Sequence, residues 1–154
     1  MKVIHIASLK TASANPGVVQ QMEWEQAAAR QLGLDWDVEL WTTEPAPHRS
    51  VLRQVPRGMQ SILLRRLQFH LRLRRAARTH DQIIIRHAPL DPFSLFVPRR
   101  IRRKTWYVFH TKMGDYLRGR VGLAGPALAW FDRLFTRRAV GGVVVTKSFP
   151  KALA

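Results

Sequence analysis

His110 closes the run YVFHTKMGDYL, directly after an apolar, aromatic segment. At the carboxyl end of a strand its imidazole would point into a crevice, where it could accept a proton or bind a ligand hydroxyl or phosphate. A plain strand-end cap is the other reading. Lys112 and Asp115 follow closely, although surface positions suit both better. His87 and Asp91, in RHAPLDPF, could line the same crevice, but an Asp before a proline also favours an ordinary turn. Near the N-terminus, Lys10, Thr11 and Ser13 offer side-chain donors ahead of Gly17. The helix start predicted there could bind an anion through its free N–H groups; an ordinary strand–helix connection is the alternative. Glu44 stands where a ribose-binding acid would stand in a dinucleotide fold.

Several chemistries are disfavoured. GxGxxG and GxxxxGK[ST] are both missing, and one glycine is too few for a backbone to approach a pyrophosphate closely. There is no cysteine, so disulfides and thiolate metal sites are excluded. The histidines show no HExxH spacing, so no metal site is expected, and no GxSxG elbow supports a serine triad. His5 lies inside a predicted buried strand and reads as a hydrogen-bonded core residue. His48, His70 and His80 fall in loop or helix contexts. No cofactor is expected.

The charge is unevenly spread. The chain carries 26 lysines and arginines against 10 acids, for a net charge of +16. Residues 1–44 hold six acids and three bases, whereas residues 45–154 hold 23 bases and four acids. Such a field attracts polyanions: nucleic acid, an anionic membrane face or phosphorylated ligands. At 154 residues, with 46% hydrophobic and 23% charged content, the chain reads as one globular domain. No apolar run approaches the roughly 20 residues that span a bilayer. MKVIHIAS is too short and too strand-like for a signal peptide, so a reducing cytoplasm is the expected setting.

The elements that must position these residues follow from periodicity. Residues 3–7 (VIHIA) read as a buried strand. Asn15-Pro16-Gly17 starts a helix with Val18, Met22, Gln26 and Ala29 on one face, and Gly33 stops it. Residues 36–42 alternate as a strand, and Pro45 and Pro47 end it. Residues 58–79 read as a long basic helix. Ser61, Arg65, Gln68, Arg72 and Arg75 share one face, broadly opposite Met59, Ile62, Leu63, Leu67 and Leu73. Strands over 82–86, 104–110 and 142–146, and a helix over 126–138, complete the order. The proline-broken stretch HAPLDPFSLFVP leaves room for a short helix between the first two of those strands. The alternation predicts an α/β, Rossmann-like fold: a parallel sheet of about five strands with helices on both faces. In such sheets ligands sit at the strands' carboxyl ends, which selects residues 8–17, 43–44, 87–91, 110–115 and 147–148.

The arginine helix is the strongest surface signal. It reads as docking on anionic lipid head groups, with Arg65, Arg72 and Arg75 facing the membrane. It also reads as a nucleic-acid backbone contact, or as a solvated face. FDRLFTRRAV repeats the pairing of apolar residues with bases. No RRM, KH or zinc-finger signature appears and the tryptophans form no stacking array, so nucleic acid is the less expected partner.

MKVIHIAS, a loop and GVVQQMEWEQAAARQLG together resemble the start of a GT-B glycosyltransferase of the family 4 type. KTWYVFHTK, a strand ending in histidine, is similar to that family's fourth-strand region, and GGVVVTKSFPKAL to its later strand-to-helix stretch. Pro16-Gly17 replaces the commoner double glycine of the first loop. The resemblance implies two Rossmann-like domains facing a cleft, of which residues 1–154 would be the N-terminal, acceptor-binding one. A C-terminal domain, absent from this chain, would hold most of a nucleotide-sugar donor and carry a Glu-containing motif. His110 would then contact the reacting sugar or acceptor, and Gly17 would let the backbone approach the donor. Lys10, Thr11, His87, Asp91 and Lys112 would border the substrates. No metal is implied, because helix N-termini and basic side chains stabilise the leaving diphosphate. The function so implied is transfer of a glycosyl unit to a glycan or lipid-linked acceptor at the cytoplasmic membrane face, with the chain inactive alone. A freestanding basic module for nucleic acid and a dinucleotide-dependent oxidoreductase domain are the alternatives.

Overall fold

The computed structural model describes residues 1–10, 12–13, 16–44, 50–59, 61–86, 91–109, 130, 134 and 141–144. The chain divides into two units, Met1–Ile85 and Arg86–Ala154.

In the first unit, β1 (Val3–Ser8) leads to α1 (Pro16–Gln31), β2 (Trp36–Thr42), β3 (Leu52–Gln54), α2 (Ile62–Thr79) and β4 (Gln82–Arg86). All pairings are parallel: Val3 stands beside Trp36 of β2 and Gln82 of β4, and Leu40 beside Leu52. The chain therefore runs outward from β1 through β2 to β3, then returns to place β4 on β1's other side. That reversal creates the switch point at which parallel sheets open a crevice. Val3, Ile4, Ile6 and Ala7 are buried, as the uninterrupted apolar run requires of a strand covered on both faces.

The helix boundaries follow from their ends. Pro16 takes the first position of α1, where its missing N–H costs nothing. Gly33 adopts φ 64°, and past it Leu34 N–H donates to the Ala29 carbonyl at 2.9 Å while Gly33 N–H donates to Arg30 at 3.2 Å. This pair of bonds satisfies carbonyls the last turn would leave open. The buried face of α1 is Val19, Met22 and Ala29, one residue round from the predicted stripe at its start. Val19 and Met22 pack with Val38, Leu40, Val51 and Leu52 of the sheet side.

Two features differ from the sequence reading. β3 is an additional strand of 3 residues, followed on to Val55 by a ladder bond from its N–H to the Thr42 carbonyl at 2.8 Å. A strand that short shows no period-two pattern. The basic helix begins at Ile62 rather than 58, because the Ser61 hydroxyl caps it by accepting Leu64 N–H, and Arg57–Met59 form a separate 3₁₀ turn.

In the second unit a 3₁₀ turn (Pro92–Phe96) precedes the short helix α3 (Arg99–Arg102) and β5 (Thr105–Phe109), which pairs in parallel with β6 (Gly141–Val144) through Trp106 and Gly141. Thr105 Oγ1 donates to the Ile101 carbonyl at 2.9 Å, tying β5 to α3, and Tyr107 is buried. The predicted helix over 126–138 falls mostly outside the described residues. The fold is α/β and Rossmann-like, with six strands among the described residues where about five were expected. No described helix is long and apolar enough to cross a membrane.

Candidate functional site

At the carboxyl end of β1 the backbone is held by β2. Leu9 N–H donates to the Trp41 carbonyl at 2.9 Å, and the Lys10 carbonyl accepts both Thr43 N–H at 3.2 Å and Thr43 Oγ1 at 2.6 Å. Beyond it, the N–H groups of Ala12 and Ser13 converge. Ala12 N–H and Ser13 N–H donate to Glu44 Oε2 at 2.8 and 2.9 Å, and the Ser13 hydroxyl donates to Glu44 Oε1 at 2.5 Å. Thr42 Oγ1 in turn accepts Glu44 N–H at 3.2 Å, which orients the acid. The Ser13 hydroxyl, the Ser13 N–H and the Ala12 N–H together hold the Glu44 carboxyl below the usual glutamate range.

Two N–H groups and a hydroxyl aimed at one point form the concavity that binds phosphate oxygens in many folds. Here the anion is the protein's own carboxylate. Glu44 therefore does not stand free for a ribose, and Ser13 is not an open ligand donor. Each half of a dinucleotide site is taken up by the other.

The remaining candidates divide. The Lys10 side chain is exposed at this edge. Gly17 lies in the exposed first turn of α1, where an added Cβ would meet nothing within 4 Å, so packing does not require a glycine there. Asp91 is buried, and its carboxylate accepts Phe93 N–H at 3.1 Å while its carbonyl accepts the Ser94 hydroxyl at 2.6 Å. This geometry is the turn chemistry of an Asp before a proline, the local reading that the sequence also offered. Thr11, His87, His110 and Lys112 lie outside the described residues.

The arginine helix also needs correction. Arg72 turns toward the sheet: its Nε and Nη2 donate to Glu39 Oε2 and Oε1 on β2 at 2.8 and 2.6 Å. Burial pushes the Glu39 carboxyl up, but hydrogen bonding and charge from Arg72 outweigh it and leave the group below its ordinary value. The Glu39 hydrogen bond likewise raises Arg72. Arg65 is half-buried, and desolvation with the neighbouring Arg66 charge lowers it. Of the three arginines expected to face outward, Arg75 alone is exposed.

Sequence reasoning missed two carboxylate clusters. Glu25 on α1 accepts His5 Nδ1 at 2.9 Å and Trp36 Nε1 at 2.8 Å, which confirms His5 as a hydrogen-bonded core histidine. Asp37 meets His80 Nε2 at 3.0 Å and Lys2 Nζ at 3.7 Å; the His80 bond first, then the Lys2 charge, lowers it against desolvation. Asp37 lies near the amino end of β2, away from the ligand edge. The partners are 20 and 43 residues apart, so no local pattern could announce them. No group of His, Cys, Asp and Glu among the described residues could hold a metal ion.

No protein-family model matches the chain, and no curated protein matches it. Among solved structures it is similar to S. aureus homoserine dehydrogenase in crystals at pH 6.0, at 16% identity and a TM-score of 0.41, over 94% of this chain and 33% of that one. The same enzyme at pH 7.0 gives 16% and 0.39. The chain thus spans about a third of that protein's length.

Proposed function

We propose that the chain is the acceptor-side domain of a sugar transferase, moving a glycosyl unit from a nucleotide-sugar to a glycan or lipid-linked acceptor. A second domain would hold most of the donor. The observation that carries the reading is the Glu44 carboxylate seated on Ala12 and Ser13. A Rossmann-like domain whose first loop is already filled does not use it to wrap a pyrophosphate. That fits a domain whose crevice borders an acceptor rather than a dinucleotide, and it agrees with the resemblance of MKVIHIAS and GVVQQMEWEQAAARQLG to GT-B enzymes. In this reading the exposed Lys10 approaches the substrates, and so would His110.

Three measurements on the chain test it. Thermal unfolding with NAD(H) or NADP(H) should show no shift, sugar transfer from nucleotide-sugars should be negligible, and an oligosaccharide array should show glycan binding that Lys10→Ala weakens. A clear shift with either dinucleotide, or robust transfer by these residues alone, overturns the proposal. The net charge of +16 supports nucleic-acid binding as a second reading. Tight, salt-steep duplex binding without glycan binding would establish that one instead.

A further inference from the structure

We infer that the outward stripe of α2 is a docking surface for an anionic lipid bilayer, with the helix's amino-terminal end inserted and its carboxyl-terminal end resting on the head groups. The inference goes beyond the sugar-transfer reading and does not rest on it.

The inward side of α2 is defined by buried His70, Leu73 and Ala76 and by Arg72 tied to Glu39. Directly opposite, Leu64, Leu71, Arg75 and Arg78 follow one another at helical spacing, with Arg74 alongside, and all five are exposed. Ile62 and Leu63, off this stripe on the lines of Leu73 and His70 but at the helix's open amino-terminal end, are 58% and 57% exposed, against 41% for Leu64 and 43% for Leu71. Single exposed leucines are ordinary on any surface. Here three large apolar side chains occupy the first turn of one helix and Leu71 its middle, three exposed arginines occupy its carboxyl-terminal half, and no acid lies anywhere between Ile62 and Thr79.

That separation selects the partner. Apolar side chains reach the acyl boundary while arginines stay among phosphates, and an anionic surface complements the charge. A nucleic-acid backbone would reward Arg74, Arg75 and Arg78 equally but gives exposed isoleucine and leucine nothing to meet.

The test uses the whole chain with phosphatidylcholine vesicles, alone or mixed with phosphatidylglycerol. Co-sedimentation should require phosphatidylglycerol and fall with salt. Arg74→Gln, Arg75→Gln and Arg78→Gln should each weaken it about fivefold, and Leu64→Ser with Leu71→Ser roughly tenfold or more. Because the chain has no cysteine, Leu64→Cys carrying an environment-sensitive dye reports insertion directly. Its emission should shift to the blue on mixed vesicles, and that of Ala27→Cys on the exposed side of α1 should not. The inference is overturned if the leucine variants bind mixed vesicles as the parent does. It is equally overturned if the Leu64 dye sees no apolar surroundings, or if duplex DNA binds more tightly than the vesicles with no effect of the leucines.

Discussion

Replacing Arg72 by methionine keeps the side-chain stem and removes the guanidinium. Glu39, whose side chain is only 14% exposed, then keeps its charge with Trp41 Nε1–H at 3.1 Å in place of the two-pronged arginine. Two charge-assisted bonds are lost, and one partly buried carboxylate is left without its counter-ion. Because Arg72 is itself 24% exposed, the cost is set below that of a fully buried pair, at about 2 kcal/mol. In a domain of this length that lowers the unfolding temperature by about 6 °C. Glu39→Gln with Arg72→Met should recover to within about 1 kcal/mol of the parent, because no charge is then stranded. The pH dependence has a sign. In the parent, Glu39 is held below its ordinary value of 4.5, so its contribution is present above that value and is lost as pH falls through the lower folded-state value. Without Arg72, burial is opposed only by the Trp41 hydrogen bond and the Arg53 charge, and the carboxyl rises from its value in the parent. The defect is then largest at neutral pH and shrinks on acidification. Circular-dichroism melts of the parent, both single variants and the double variant, at neutral and mildly acidic pH, measure all of this. If Arg72→Met melts with the parent at neutral pH, or the double variant loses the sum of the singles, Arg72 does not anchor α2 to the sheet.

Glu44→Gln should loosen the first loop. The Ala12 and Ser13 amides should exchange with deuterium faster than in the parent. In the parent the same release should appear only as pH falls through the depressed Glu44 value, since its contribution is complete above the ordinary glutamate range. Gly33→Ala forces a side chain into φ 64° with no clash to add, so urea unfolding should show a loss of about 1 kcal/mol from backbone strain alone. Burial first, with Asp91 adding and Arg102 opposing, pushes the Tyr107 hydroxyl up to about 12. An absorbance titration of the phenolate band should therefore show one of the 2 tyrosines ionising only near that pH; complete ionisation of both in the ordinary range would mean Tyr107 is not enclosed.

Much of the framework was legible because its causes are local. VIHIAS and QIIIR are runs too apolar to lie anywhere but a doubly covered sheet, and Pro16 and Gly33 mark α1 by backbone geometry rather than by contact. The parallel fold class followed from the alternation of such segments. What periodicity could not decide was direction. Leucines and arginines alternate closely around α2, so its apolar and polar stripes are nearly interchangeable on paper. Its rotation was settled by Glu39, 33 residues away, whose carboxylate draws Arg72 inward and leaves Leu64 and Leu71 facing out. β3 was invisible because three residues carry no period, and its place depends on the edge that β2 offers. The first loop shows the same division. Sequence alone placed Lys10, Ser13, Gly17 and Glu44 at the carboxyl edge of the sheet. Only the folded chain, by laying β2 beside β1, brought a carboxylate 31 residues distant onto the N–H groups of Ala12 and Ser13. Local order is written in neighbouring residues, whereas the pairing of charges depends on strand register, which no short stretch contains.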